Sequence, residues 1–220
     1  MHEEKIKNEI IELFPTPVFT TQLPESFGYL TEFFYKQEMK GSSEESGVDV
    51  SNYGDRSSNS YLLDEPECKG LKTFILGVAK TYGDMLAYDY KSYRFGQSWL
   101  SYKHPGQHHT QHTHPNSLIS GVFYFGQPEE KTPAIRLHKM MGGFNTSYIS
   151  PKRVDDKRNL KYAWEHFDLQ FTPGLFILFP SHLHHSVPLN KTNTTRCSIA
   201  FNIVPEVGFG EEGSLTELKF

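Results

Sequence analysis

The sequence predicts a mainly β fold with flanking helices, an antiparallel sandwich or jelly-roll barrel of the cupin-like class. Three observations predict it. From Tyr93 onward, short segments of strand character recur between clusters of Pro, Gly and polar residues. Aromatic residues make up 14% of the chain, with 17 Phe and 12 Tyr, a composition suited to pleated, half-buried packing. Upstream, one stretch carries a helical apolar stripe that needs a sheet to bury against.

The elements follow in order. Residues 1–12 mix charges with Ile6, Ile10 and Ile11 and read as a short helix, bounded by Pro15 and Pro17. The segment PVFTTQL (17–23) reads as a strand, and Pro24–Lys40 as a helix with Phe27, Leu30 and Phe34 on one face. Residues 41–60, rich in Ser, Gly, Asn and Asp, read as a loop. Asp64 fits an N-cap for a helix whose stripe is Leu71, Phe74, Ile75, Val78, Ala79, Tyr82, Met85 and Leu86. Strands are expected near 93–104, 108–114, 118–126, 133–139, 164–171, 175–180 and 195–204. The stretch 140–162, with Gly142, Gly143, Pro151 and several charges, interrupts that rhythm as an insertion at a barrel rim. One domain is expected over 1–220: an N-terminal strand and helices (1–92) packing on a jelly-roll core (93–205), then a peripheral tail (206–220).

Net charge is −4 with no run of Lys or Arg, so electrostatics do not suggest a nucleic-acid partner; the local basic cluster Lys152, Arg153, Lys157, Arg158 and Lys161 reads as a solvated loop face. Two cysteines, Cys68 and Cys197, make no disulfide framework. No signal-peptide pattern and no membrane-length apolar run is present, so a cytoplasmic location is expected.

Chemistry concentrates in the histidines. Of 11, five lie in 104–114 and three in 182–185. Residues two apart on a strand point the same way, so His112 and His114 can offer two imidazoles to one ion. Neutral imidazole suits iron, zinc, copper and nickel. His185, just past the strand end FPS, is the best candidate for a third ligand; His109 with Gln111 is a shifted alternative for the first pair. In the last strand, Arg196, Ser198, Ala200 and Asn202 share one face, and Cys197, Ile199, Phe201 and Ile203 the other. An arginine pointing into a barrel needs an anion, and its planar fork takes a carboxylate bidentately, with Ser198 able to add a hydroxyl. Asn116 and Tyr124 share parity with His112 if the strand continues through Pro115, and are candidate cofactor contacts. Trp99 and Tyr102 read as core.

The blocks HTHPNSLISGVFYF, TPGLFILFPSHLHHSV and RCSIAFNI together resemble the 2-oxoglutarate/Fe(II)-dependent oxygenase superfamily, and more narrowly a branch found in bacteria and phages that shares the opening FPTPVF. The resemblance implies a double-stranded β-helix, with Fe(II) and the co-substrate 2-oxoglutarate. It implies His112 as first metal ligand and His185 as distal ligand, with Arg196 on the far carboxylate of 2-oxoglutarate. The superfamily usually carries Asp or Glu where this chain has His114, leaving Glu165 or Asp168 as further candidates for a third ligand. The implied activity is hydroxylation of a C–H bond of a small molecule, amino acid or peptide. Two other readings stay open: a three-histidine cupin-like metalloenzyme that does not use 2-oxoglutarate, and a non-catalytic metal-binding jelly roll. A homodimer is also open.

Overall fold

Two antiparallel sheets face one another in the computed structural model, which describes residues 15–41, 53–139, 164 and 166–220. The expected helix at 1–12, the insertion at 140–162 and most of the loop at 41–60 lie outside the described residues, as does Glu165. The strands are β1 (Phe19–Gln22), β2 (Met39–Gly41), β3 (Asp55–Ser57), β4 (Tyr93–Lys103), β5 (His109–His112), β6 (Ile119–Phe125), β7 (Pro133–His138), β8 (His166–Gln170), β9 (Leu175–Pro180), β10 (His185–Val187) and β11 (Arg196–Pro205). The larger sheet runs β1-β9-β6-β11-β4-β3-β2 and the smaller β5-β10-β7-β8. This is the jelly roll that the strand spacing predicts.

The central strands β6 and β9 are buried along their whole length, because both faces of the larger sheet are covered. Alternation divides their side chains. Phe123, Phe125, Phe176 and Leu178 join the outer core; Val122, Tyr124, Ile177 and Phe179 join the core between the sheets. In β11, Cys197, Ile199, Phe201 and Ile203 face the outer core. Gly121 in β6 makes room for that packing, since a Cβ there would lie 2.2 Å from the Phe201 ring.

The outer core is closed by α1 (Leu30–Tyr35) and α2 (Lys69–Met85). In α2, Leu71, Ile75, Ala79 and Tyr82 are buried, with Phe74, Val78 and Leu86 packed against the same cluster. Met85 departs from the expected stripe and is 68% exposed; in the last turn, three residues beyond Tyr82, it falls at the stripe's margin. Asp64 does not cap α2. It ends a 3₁₀ turn, Leu62–Asp64, and a second turn begins at Pro66, where a missing N–H costs nothing. The N-cap is Cys68, with no side-chain cap bond, and Asp64 instead pairs with Lys72.

Two short segments also depart from expectation. Pro24–Lys40 is not one helix: a 3₁₀ turn, the six-residue α1 and β2 share it. Asp55–Ser57 in the expected loop forms β3. Strands of three residues carry no readable period; β2 and β3 exist because they extend the ladder beside β4. The tail adds β12 (Gly208–Phe209) paired with β13 (Leu218–Lys219). Cys68 and Cys197 are both buried and free. No helix among the described residues is long and apolar enough to cross a membrane.

Candidate metal and anion site

Between the sheets lies a cavity of about 100 Å³. Two strand ends and the stretch that follows β5 converge on it. His112 ends β5, His185 begins β10, and the two are direct partners in the antiparallel ladder. His114 follows β5 and is held by its backbone N–H, which donates to the Ser181 carbonyl at 3.0 Å. Ligand atoms of His112, His114 and His185 all lie within 4.8 Å of one another.

The ring tautomers of two of these histidines follow from their partners. A carbonyl only accepts, so the nitrogen facing it must carry the proton. His112 Nδ1–H donates to the Thr110 carbonyl at 2.8 Å, and His185 Nδ1–H to the Leu183 carbonyl at 2.9 Å. Each Nε2 therefore keeps its lone pair for a ligand. His114 Nδ1 lies 3.5 Å from the Asn202 amide, whose Oδ1 accepts from Ser120 Oγ at 3.0 Å. Ser120 in turn meets Ser181, which meets Ser117. Burial, the largest cause, lowers His185 to about 3 and His114 to about 4, and also lowers His112. The cluster is thus neutral at physiological pH, the form in which imidazole ligates a metal.

The expected alternative pair, His109 with Gln111, is replaced by another geometry. Val187 pairs with His109 while His185 pairs with His112, so β10 advances two residues where β5 advances three. This bulge turns His109 to the same side as His112, with their Nδ1 atoms 3.1 Å apart. His109 lines the cavity.

The other end of the cavity is cationic. Arg196 is buried, and its Nε–H donates to the Ala134 carbonyl at 3.0 Å. Its Nη1 donates to Ser198 Oγ at 3.1 Å and its Nη2 to the Tyr124 hydroxyl at 3.2 Å. None of these partners is charged. Among the described residues, no carboxylate pairs with Arg196 and none lines the cavity.

His112, His114, His185, Arg196, Ser198 and Tyr124 therefore share one cavity. Asn116 does not join them; it is exposed in the turn that Pro115 opens, where strand parity is lost. Asp168 is no candidate ligand either, because it is held by Arg136 through two bonds of 2.6 and 2.7 Å on the edge strand β8. His104 bridges Asp55 and Thr195, and His138 bonds Ser186, both away from the lining. Trp99, Ser101 and Lys103 line the cavity, although Trp99 reads as core in the sequence. Their signal was the alternation in YRFGQSWLSYK, which puts these three on one face of β4.

Residues 97–202 match the profile of a family described as "Putative 2OG-Fe(II) oxygenase". A search of curated proteins found no match. Many solved structures share the fold. A Pseudomonas putida prolyl-4-hydroxylase is 13% identical with a TM-score of 0.55, over 85% of this chain and 92% of its own. HygX from Streptomyces hygroscopicus, solved with nickel, 2-oxoglutarate and hygromycin B bound, is 10% identical with a TM-score of 0.55, over 87% and 84%. The non-heme alpha-ketoglutarate-dependent epimerase SnoN from nogalamycin biosynthesis is 12% identical with a TM-score of 0.60, over 87% and 80%. At these identities the likeness is one of jelly-roll fold.

Proposed function

We propose that the chain is a 2-oxoglutarate/Fe(II)-dependent oxygenase, of the family whose profile residues 97–202 match, and that it hydroxylates a C–H bond of a small molecule or peptide. The observation that carries this reading is one cavity lined by a neutral three-imidazole cluster and by a buried guanidinium that no carboxylate among the described residues pairs with.

His112, His114 and His185 would hold the metal, and their donor set fits Fe(II) among the divalent ions that imidazole suits. Backbone carbonyls of Thr110 and Leu183 orient two of the rings. Arg196 takes the far carboxylate of 2-oxoglutarate, with Ser198 and Tyr124 donating to the same oxygens. Fe(II) with 2-oxoglutarate and dioxygen supplies the oxidising power, and the co-substrate leaves as succinate and carbon dioxide. Val122, Ile135 and Phe179 give the cavity an apolar wall that excludes water from the reacting centre.

A second reading, a three-histidine metalloenzyme without 2-oxoglutarate, is favoured by a donor set that holds no carboxylate among the described residues. Anaerobic titration with Fe(II) and then 2-oxoglutarate separates the two. Bidentate chelation is expected to produce a visible charge-transfer band, lost in His185→Ala and weakened in Arg196→Ala. No band in the wild type, or a band indifferent to both substitutions, overturns the leading reading.

A further inference from the structure

Lys103 stands directly across from Arg196 in the β4–β11 ladder, and Ser101 directly across from Ser198. All four line the cavity. They form a square of hydrogen-bond donors, two of them cationic. Lys103 is 4% exposed and Arg196 2%. Like charges directly opposite on one face of a sheet repel, and burying an ammonium without a counter-ion is costly.

Lys103 finds little relief within the protein. Its Nζ donates to Ser101 Oγ at 2.6 Å and approaches the Tyr102 carbonyl at 3.5 Å. Asp55 acts on it from a distance and bonds His104 at 3.0 Å. No carboxylate among the described residues pairs with either cation. A methionine or leucine would fill the same space without these penalties. Two buried cations opposite one another, with no carboxylate among the described residues paired to either, describe a site arranged around an anion.

We infer that Lys103 is a second anchor for the carboxylate that Arg196 holds, so that the cavity takes its dicarboxylate through a two-cation clamp. The inference rests on the 2-oxoglutarate reading above and adds to it a residue and a charge requirement. Burial, followed by Arg196, lowers Lys103 to about 7, which is the state expected of a lysine waiting for its counter-ion. An arriving carboxylate restores its charge and cancels the repulsion with Arg196. A 2-oxo acid without the second carboxylate does neither.

The test is anaerobic titration of the Fe(II)-loaded protein with 2-oxoglutarate and, in parallel, with 2-oxopentanoate, which keeps the chelating end and lacks the far carboxylate. Lys103→Met is expected to weaken 2-oxoglutarate by at least about tenfold. It should leave the 2-oxopentanoate affinity of the Fe(II)-loaded protein within about twofold, and raise the melting temperature of the metal-free protein. Lys103→Gln, which keeps a hydrogen bond to Ser101, reads the same expectation if the methionine variant does not fold. Equal 2-oxoglutarate affinity in wild type and Lys103 variants, with loss in Arg196→Met, overturns the role of Lys103 alone. A wild type that shows no band with 2-oxoglutarate overturns the functional reading and the clamp together.

Discussion

His185 faces His112 directly across the β5–β10 ladder, with ring centroids 4.2 Å apart. They are far apart in sequence, and the pairing of two short strands is what makes them neighbours. The bulge in the same ladder adds His109 to the group, its ring centroid 4.3 Å from that of His112.

The roles of these rings are separable. His185→Ala is expected to lower Fe(II) affinity by more than about a hundredfold, since it removes one of three ligands. His109→Ala should cost about tenfold or less, the scale for a residue that orients a ligand. Metal titration by calorimetry distinguishes them, and equal losses would sink the assignment.

His114 stands where a carboxylate would complete two histidines. His114→Asp should retain Fe(II) within about tenfold while His114→Ala loses more, because an acid still ligates iron. Asn202→Ala should weaken the metal by about tenfold by freeing the His114 ring from its amide contact. A carboxylate variant that binds no better than the alanine variant would show that this position is not a ligand.

Lys103 predicts a pH signature. Its folded value is lowered to about 7 from an ordinary 10.5. Between those values the unfolded chain binds a proton that the folded chain does not, so this group makes stability rise with pH across that window. The slope approaches about 1.4 kcal/mol per pH unit in the middle of it. Lys103→Met removes the contribution. Its advantage over wild type in urea unfolding should be largest near and below pH 7 and should shrink toward zero by about pH 10.5. A pH-independent difference would refute the origin in charge.

Gly121→Ala tests the outer core. The added Cβ would meet the Phe201 ring at 2.2 Å and Leu178 at 2.7 Å, in an interior that has little slack. Overpacking of this kind costs about 1–3 kcal/mol. Denaturant midpoints would show it, and a neutral result would mean that Phe201 has room to move.

Local pattern was enough for much of this protein. Alternation placed Cys197, Ile199, Phe201 and Ile203 on the outer core and Arg196 and Ser198 on the cavity, because a strand's side-chain period survives any tertiary arrangement. The stripe from Leu71 to Tyr82 was legible for the same reason. The histidine clusters suggested a metal site and an inward arginine an anion site, and the fold brings both sets of residues to one cavity. What only the tertiary structure decided depends on pairing. The strand that carries His185 is three residues long and has no period of its own. The bulge that turns His109 inward exists only in the register with β10. Asn116 lost its place once Pro115 ended the strand, and Asp168 was taken by Arg136. Alternation along β4 puts Lys103 on one face with Trp99 and Ser101, but it does not say what lies opposite. The β4–β11 register sets it opposite Arg196 in a buried cavity, where no carboxylate among the described residues pairs with either cation.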